Sequence, residues 1–209
     1  MKEVLCYGDS NTYGFMPGSG ERYPSHVRWT GVMQDALGGS FHVIEEGLNG
    51  RTTVWDDPVE GAYRNGSTYL LPCLLSHAPL DLVLLFLGVN DLKKRFDIPA
   101  EDIARSAGAL VDIIRKSGAG RAGGAPAVLL MAPPPLGKLS GYAEMLEGGT
   151  EKSRQLAARY AETARQAGCA FLDTGKLIRS SDIDGVHFEE KDHHTLGEAL
   201  AAEVRKLIP

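Results

Sequence analysis

Five short, almost uninterrupted apolar runs punctuate the chain: Val4 to Tyr7, His42 to Ile44, Leu82 to Leu87, Ala127 to Ala132 and Cys169 to Leu172. Each has the length of a strand, and most lack the alternation of a strand with one wet face. They predict strands buried on both faces, as in a parallel sheet covered by helices. Between them apolar positions recur every three or four residues. That spacing predicts helices over Arg28 to Leu37, Thr68 to His77, Ala100 to Lys116, Glu151 to Ala167 and His193 to Leu207. The third is the clearest: Ile103, Ala107, Leu110, Ile113 and Ile114 share one face, Pro99 precedes the first turn and Gly118 follows the last.

Strand and helix alternating in this way predict an α/β protein, a three-layer α/β/α sandwich around a five-stranded parallel sheet with right-handed crossovers. Gly118 to Pro126 is glycine-rich but short and lies between a helix and a strand, so it reads as a surface loop. Residues 1–209 therefore read as a single domain. Two connections, Asn11 to Val27 and Pro133 to Gly149, are longer than the sheet requires. Long loops beyond the carboxyl ends of parallel strands are where such folds build their sites.

Composition narrows the partners. A chain of 209 residues with 43% hydrophobic content supports one sizeable core. Its 22 Lys and Arg against 27 Asp and Glu give a net charge of -5, the wrong sign for a nucleic-acid partner. No apolar run approaches the roughly 18 residues of a membrane span. The first strand begins almost at Met1, which leaves no room for a secretory leader. Cys6, Cys73 and Cys169 are far apart in apolar stretches, as free thiols in a reducing compartment would be. A cytoplasmic location without membrane attachment is the expectation.

Candidate chemistry lies at the strand ends. Gly8-Asp9-Ser10-Asn11-Thr12 follows the first strand, Asn49-Gly50 the second, Gly88-Val89-Asn90-Asp91 the third and Asp184-Gly185-Val186-His187 the fifth. Any one of these is an ordinary turn. Together they supply what acyl transfer requires: a hydroxyl, a base, a carboxylate to orient the base and donors for an oxyanion. Ser10 is the candidate nucleophile, His187 the base and Asp184 the orienting carboxylate. The backbone N–H groups of Ser10 and Gly50 and the side-chain amide of Asn90 are the candidate oxyanion donors. Asp9 is assigned a structural role in the nucleophile turn. Thr12, Tyr13 and Phe15 are candidates to border the cleft. Trp29 and Trp55 are candidates to line it, with packing in the core or at an interface as the competing reading.

Jointly these four blocks resemble those of the SGNH hydrolase superfamily, the GDSL-type esterases. Arg28-Trp29-Thr30-Gly31-Val32, Val43-Ile44-Glu45-Glu46-Gly47-Leu48, Arg51-Thr52-Thr53, Pro79-Leu80-Asp81-Leu82-Val83 and Asp184-Gly185-Val186-His187-Phe188 are similar to the bacterial arylesterase and acyltransferase subgroup. The resemblance implies a flavodoxin-like fold, hydrolysis of short-chain and aryl esters, and no cofactor. It also implies acyl transfer to alcohols or peroxide in competition with water, and assembly into homo-oligomers, octamers among them. One departure is Glu45-Glu46, where many superfamily members carry Asn, so the bonding that holds the Gly50 loop is expected to differ. Glycine at position 50 is expected to leave a roomier, more flexible loop than alanine would.

Other readings stay open at this point. The same three residues would serve a carbohydrate O-deacetylase, a lysophospholipase or a thioesterase. A non-enzymatic reading is an anion-binding module cradling its ligand at Ser10 to Thr12, although only Gly8 and Gly14 flank that loop. The segment from His187 to His194 is dense in potential metal ligands. Its acids precede a helix, however, and its adjacent histidines lack the spacing of a helical zinc pair, so no metal is expected.

Overall fold

A computed structural model describes all residues from Met1 to Pro209. Five strands, β1 (Lys2–Gly8), β2 (Phe41–Gly47), β3 (Leu82–Phe86), β4 (Ala127–Ala132) and β5 (Ala170–Asp173), form one sheet in the order β2-β1-β3-β4-β5. All neighbouring pairs are parallel. The strand period of two divides the apolar runs between two cores. Leu5, Tyr7, Val83, Leu85, Val128 and Leu130 face α3 (Gly66–Ser76), α4 (Ala100–Lys116) and α5 (Gly149–Ala167). Val4, Cys6, Leu82, Leu84, Phe86, Leu129 and Met131 face α2 (Trp29–Leu37) and α6 (Glu190–Leu207). Burial on both faces is why these strands read as continuous apolar runs. The result is the expected three-layer α/β/α sandwich.

Strand and helix ends differ from the sequence expectation for local reasons. β2 runs on through Glu45 and Glu46 because both carboxylates find partners at its carboxyl end. Arg22 and Arg28 bind Glu45 at 2.5 and 2.9 Å, and His77 binds Glu46 at 3.0 Å. Cys169 finishes the preceding helix instead of opening β5: Gly168 caps α5 at φ +64 and the Cys169 N–H donates to the Ala164 carbonyl at 3.1 Å. α6 begins three residues early, with Glu190 and Asp192 in its first turn, where negative charge complements the helix dipole. No helix is long and apolar enough to cross a membrane.

This strand order places a topological switch between β1 and β3, whose connections leave toward opposite faces. Ligand crevices open at such points, beyond the carboxyl ends of the strands. The loops after β1, β2 and β3 meet there.

Candidate active site

β1 ends at Gly8 and passes directly into a single helical turn, α1 (Ser10–Tyr13). Asp9 caps that turn by accepting from the Asn11 N–H at 3.0 Å. Burial pushes the Asp9 carboxyl up to about 6, against the lowering effect of that hydrogen bond. Gly8 is required by packing, because a Cβ there would lie 2.0 Å from Thr12 Oγ1. Ser10 thus stands at the first helical position, where backbone N–H groups have no partner within the helix, and its side chain faces a cleft.

The imidazole reaches Ser10 from the far end of the chain. Asp184 Oδ1 accepts from the N–H groups of Val186 and His187, both at 2.9 Å, which folds Asp184 to His187 into a tight turn. Gly185 makes the turn possible: it has φ +80, and a Cβ would lie 2.7 Å from the Lys138 backbone. The second carboxylate oxygen, Oδ2, is 2.7 Å from His187 Nδ1, and His187 Nε2 is 3.0 Å from Ser10 Oγ. Burial alone would raise the Asp184 carboxyl, but the hydrogen bonds from His187 and from the two backbone amides outweigh it and hold the group below its ordinary value. An ionised carboxylate can only accept, so the ring proton resides on Nδ1 and Nε2 is free to accept from the serine hydroxyl. Two aromatic rings contact the imidazole, Phe15 with centroids 4.2 Å apart and Tyr142 at 5.8 Å in a T-shaped arrangement.

Gly50 and Asn90 form the opposite wall, and their loops are tied to each other. Asn90 Nδ2 donates to the Arg51 carbonyl at 3.1 Å. Both Asp91 carboxylate oxygens accept from the Thr53 N–H at 3.1 Å, and Asp91 also takes the Thr53 hydroxyl. Arg51 is buried and joins the ends of two strands, donating to the carbonyls of Gly8 at 2.8 Å and Glu46 at 2.5 Å, with its guanidinium over the Tyr7 ring. Arg64 holds the Asn49 carbonyl. These contacts fix the Gly50 loop where the Glu45-Glu46 departure leaves it without an asparagine. The loop is not roomy. Gly50 has φ +74, and the position of a Cβ is already filled by Glu60, whose Oε2 would lie 2.6 Å away.

The cleft encloses about 200 Å³. Ser10, His187, Gly50 and Asn90 line it together with Phe15, Asn49, Glu60, Val89, Lys93, Tyr142, Met145, Leu146 and Val186. Of the five residues expected at the cleft only Phe15 lines it, and four lie elsewhere, Tyr13 with its ring 4.2 Å from the Arg22 guanidinium. Thr12 is fully buried behind Gly8. Trp29 is fully buried at the start of α2, where its indole N–H donates to the Asn11 carbonyl at 3.1 Å and its ring meets Phe86 edge-on. Trp55 is half-buried outside the cleft, its carbonyl accepting from Thr52 Oγ1 at 2.5 Å. Trp29 obeys the packing reading, as a member of the core beneath α2 and α6. Lys93 was within reach of sequence reasoning, since it lies one turn beyond Asn90. Tyr142 and Met145 come from the long loop after β4. Glu60 carries no sequence signal.

Ligand-type side chains gather at one place outside the cleft, where atoms of Glu46, Cys73 and His77 lie within 4.8 Å of one another. Burial pushes the Cys73 thiol up to about 12, which leaves it protonated beneath the Glu46–His77 pair. In the histidine-rich segment, His193 is wholly buried and accepts from the Trp29 N–H through Nδ1 at 3.3 Å. It is therefore committed to the packing of α2 against α6.

Comparison with known proteins agrees with this geometry. A sequence model of the GDSL-like lipase/acylhydrolase family matches residues 6–194. Among solved structures, a carbohydrate acetylesterase from Sinorhizobium meliloti shares 41% identity, with 100% of each chain covered and a TM-score of 0.95. The aryl esterase of Mycobacterium smegmatis shares 42% identity, again with 100% of each chain covered and a TM-score of 0.95. Among curated proteins no relative is matched. The family match over nearly the whole length, on a sheet that brings its four sequence blocks to one cleft, shows that the chain belongs to the GDSL-like lipase/acylhydrolase family.

Proposed function

We propose that the protein, a carboxylic ester hydrolase by family, cleaves short-chain and aryl esters through an acyl-enzyme on Ser10 and passes the acyl group to water or to an alcohol. The observation that carries this reading is the continuous series Asp184–His187–Ser10, with contacts of 2.7 and 3.0 Å, opening into a cleft. In the first step Ser10 Oγ bonds to the ester carbonyl carbon as His187 Nε2 takes the hydroxyl proton. The carbonyl electron pair moves onto oxygen, held by the N–H groups of Ser10 and Gly50 and the Asn90 amide. Collapse breaks the bond to the alcohol oxygen, which leaves with the proton from His187. Water or a second alcohol then attacks the acyl-enzyme by the same steps in reverse order. The carboxylate of Asp184 stabilises the imidazolium throughout and stays ionised.

A cleft of about 200 Å³ suits a small acyl group, below the usual range for drug-sized ligands. The two relatives point the same way, since one is a carbohydrate acetylesterase and the other an aryl esterase. The rings of Phe15 and Tyr142 beside the imidazole limit the room for water there, which favours capture of the acyl-enzyme by an alcohol bound in the cleft. Self-association is part of the proposal and is supported by Leu71 and Leu75, exposed one turn apart on α3; sedimentation at micromolar concentration tests it.

A phosphonate ester reagent followed by mass spectrometry tests the chemistry. The expected result is one adduct on Ser10, with no adduct and no hydrolysis of an activated acetate ester by Ser10→Ala. Hydrolysis at the wild-type rate by that variant would overturn the reading.

A further inference from the structure

One wall of the cleft carries a charge cluster that the acyl-transfer steps leave unused. Lys93 is only 2% exposed, and its Nζ is 2.6 Å from Glu60 Oε1 and 3.2 Å from Asp57 Oδ2. Arg95 binds Asp57 Oδ1 at 2.8 Å and approaches Glu60 Oε1 at 3.6 Å. Two carboxylates therefore face two cations, and a third cation, Arg64, stands beside them with its Nε 3.3 Å from the position a Cβ would take at Gly50.

Its construction fixes one atom. Asp57 has no exposed side-chain surface and accepts from the N–H groups of Val59 and Glu60, both at 2.9 Å, which pins the loop that carries Glu60. Lys93 then holds Oε1. The other oxygen, Oε2, has no hydrogen-bond donor in the protein and lies against Gly50, in the space a Cβ would occupy. The Glu60 side chain is 31% exposed, and the residue lines the cleft beside Ser10 and His187. A carboxylate oxygen is thus held rigidly next to the proposed oxyanion donor, accessible and unpaired.

Chemistry restricts what can sit against it. An ionised carboxylate only accepts hydrogen bonds. An apolar leaving group pressed onto Oε2 would strip its water and return nothing. A hydroxyl would replace that water with a charge-assisted hydrogen bond, among the stronger ones available to a neutral ligand. A second ionised carboxylate has no proton to donate to Oε2. The short acyl group has no such donor to offer, so the hydroxyl must come from the alcohol portion of the ester.

We infer that Glu60 is a specificity-determining residue whose Oε2 accepts a hydroxyl of the alcohol portion, so that the preferred substrates are short-chain acyl esters of polyols and sugars with a free hydroxyl near the ester. The inference rests on the acyl-enzyme reading above. Lys93 is the positioning residue: it neutralises and orients the carboxylate so that negative charge beside Gly50 does not oppose the oxyanion.

The test compares kcat/KM for methyl 6-O-acetyl-glucoside with that for 4-nitrophenyl acetate in wild type, Glu60→Ala and Glu60→Gln, with phosphonate labelling of Ser10 in each. The ratio of sugar ester to aryl ester should fall about tenfold in Glu60→Ala, the scale of one charge-assisted hydrogen bond. Glu60→Gln should fall as well, since Lys93 keeps the one amide oxygen and the NH₂ that replaces Oε2 carries no charge and cannot accept. The wild-type preference should also disappear for the fully acetylated glucoside, which has no hydroxyl to donate. An unchanged ratio in Glu60→Ala, with Ser10 still labelled, overturns the role of Glu60 and leaves the acyl-enzyme intact. Absence of labelling in the wild type overturns the acyl-enzyme itself.

Discussion

Asp184 serves His187 with both of its oxygens: Oδ2 meets Nδ1 at 2.7 Å, while Oδ1 accepts the backbone N–H of His187 itself at 2.9 Å. The carboxylate therefore sets the backbone turn that delivers the imidazole and the tautomer that the imidazole adopts. Asp184→Asn separates these tasks. Its amide oxygen can still accept from the backbone, but its NH₂ cannot accept from Nδ1–H, which favours the tautomer with the proton on Nε2. Turnover of an activated acetate should fall by about four orders of magnitude with little change in thermal stability. Activity within tenfold of wild type would show that the carboxylate does not orient the base.

Asn90 divides its amide in a comparable way. One N–H is held by the Arg51 carbonyl at 3.1 Å, which leaves the other for the cleft. Asn90→Ala should lower kcat by a factor of about a hundred or more, roughly 3 kcal/mol, with KM little affected. A rise in KM at constant kcat would instead mark Asn90 as a residue that binds ground state and transition state alike.

Much of this site was legible in the sequence because the sheet imposes an address. A parallel strand buried on both faces is recognisable as an apolar run, and its carboxyl end is a predictable place for chemistry. Ser10, Gly50 and Asn90 stand just past such ends, His187 lies farther along the loop between β5 and α6, and all four converge on the cleft. Trp29 and Thr12 show where residue type misleads. Each neighbours a functional segment in sequence, yet the close approach of Gly8 to Thr12 and the docking of α2 on the sheet turn both inward. Glu60 and Tyr142 were invisible for the opposite reason. They sit in irregular loops whose course is set by distant contacts, such as that of Gly185 with Lys138, and no periodicity records those contacts.

The contact of Gly50 with Glu60 can be tested as a pair. Gly50→Ala places a Cβ on a residue at φ +74 and 2.6 Å from Glu60 Oε2, so it should lower kcat/KM for the activated acetate. Left-handed backbone costs a non-glycine residue about 1–2 kcal/mol, and the collision adds to this. Removing the carboxylate should relieve only the collision, so Glu60→Ala introduced into Gly50→Ala should recover part of the loss. A double-mutant cycle measured in the four proteins should give a coupling of about 1 kcal/mol or more. Strict additivity would mean that the loop moves away from Glu60 at no cost.

His193 gives the fold an acid-sensitive point separate from the chemistry. Burial depresses its imidazole from 6.5 to about 4, helped by the nearby positive charge of Arg28 and by His187. Its ring is packed between Tyr23 and Phe188. With the folded value below the unfolded one, the unfolded chain binds a proton that the folded chain refuses. The stability associated with His193 is therefore fully present above about pH 6.5, declines as pH falls and is lost once pH passes below about 4. Urea unfolding near neutral pH and again at about pH 4.5 should show this single group costing about 2 kcal/mol. Asp9 and Asp91, both raised to about 6 by burial, act in the opposite sense over part of this range, so the comparison must be with a variant. His193→Asn removes the titration and retains a polar acceptor for the Trp29 N–H. It is expected to be less stable than wild type at neutral pH but to lose about 2 kcal/mol less on acidification. Equal losses in the two proteins would show that the imidazole is protonated without cost and that α2 and α6 part readily around it.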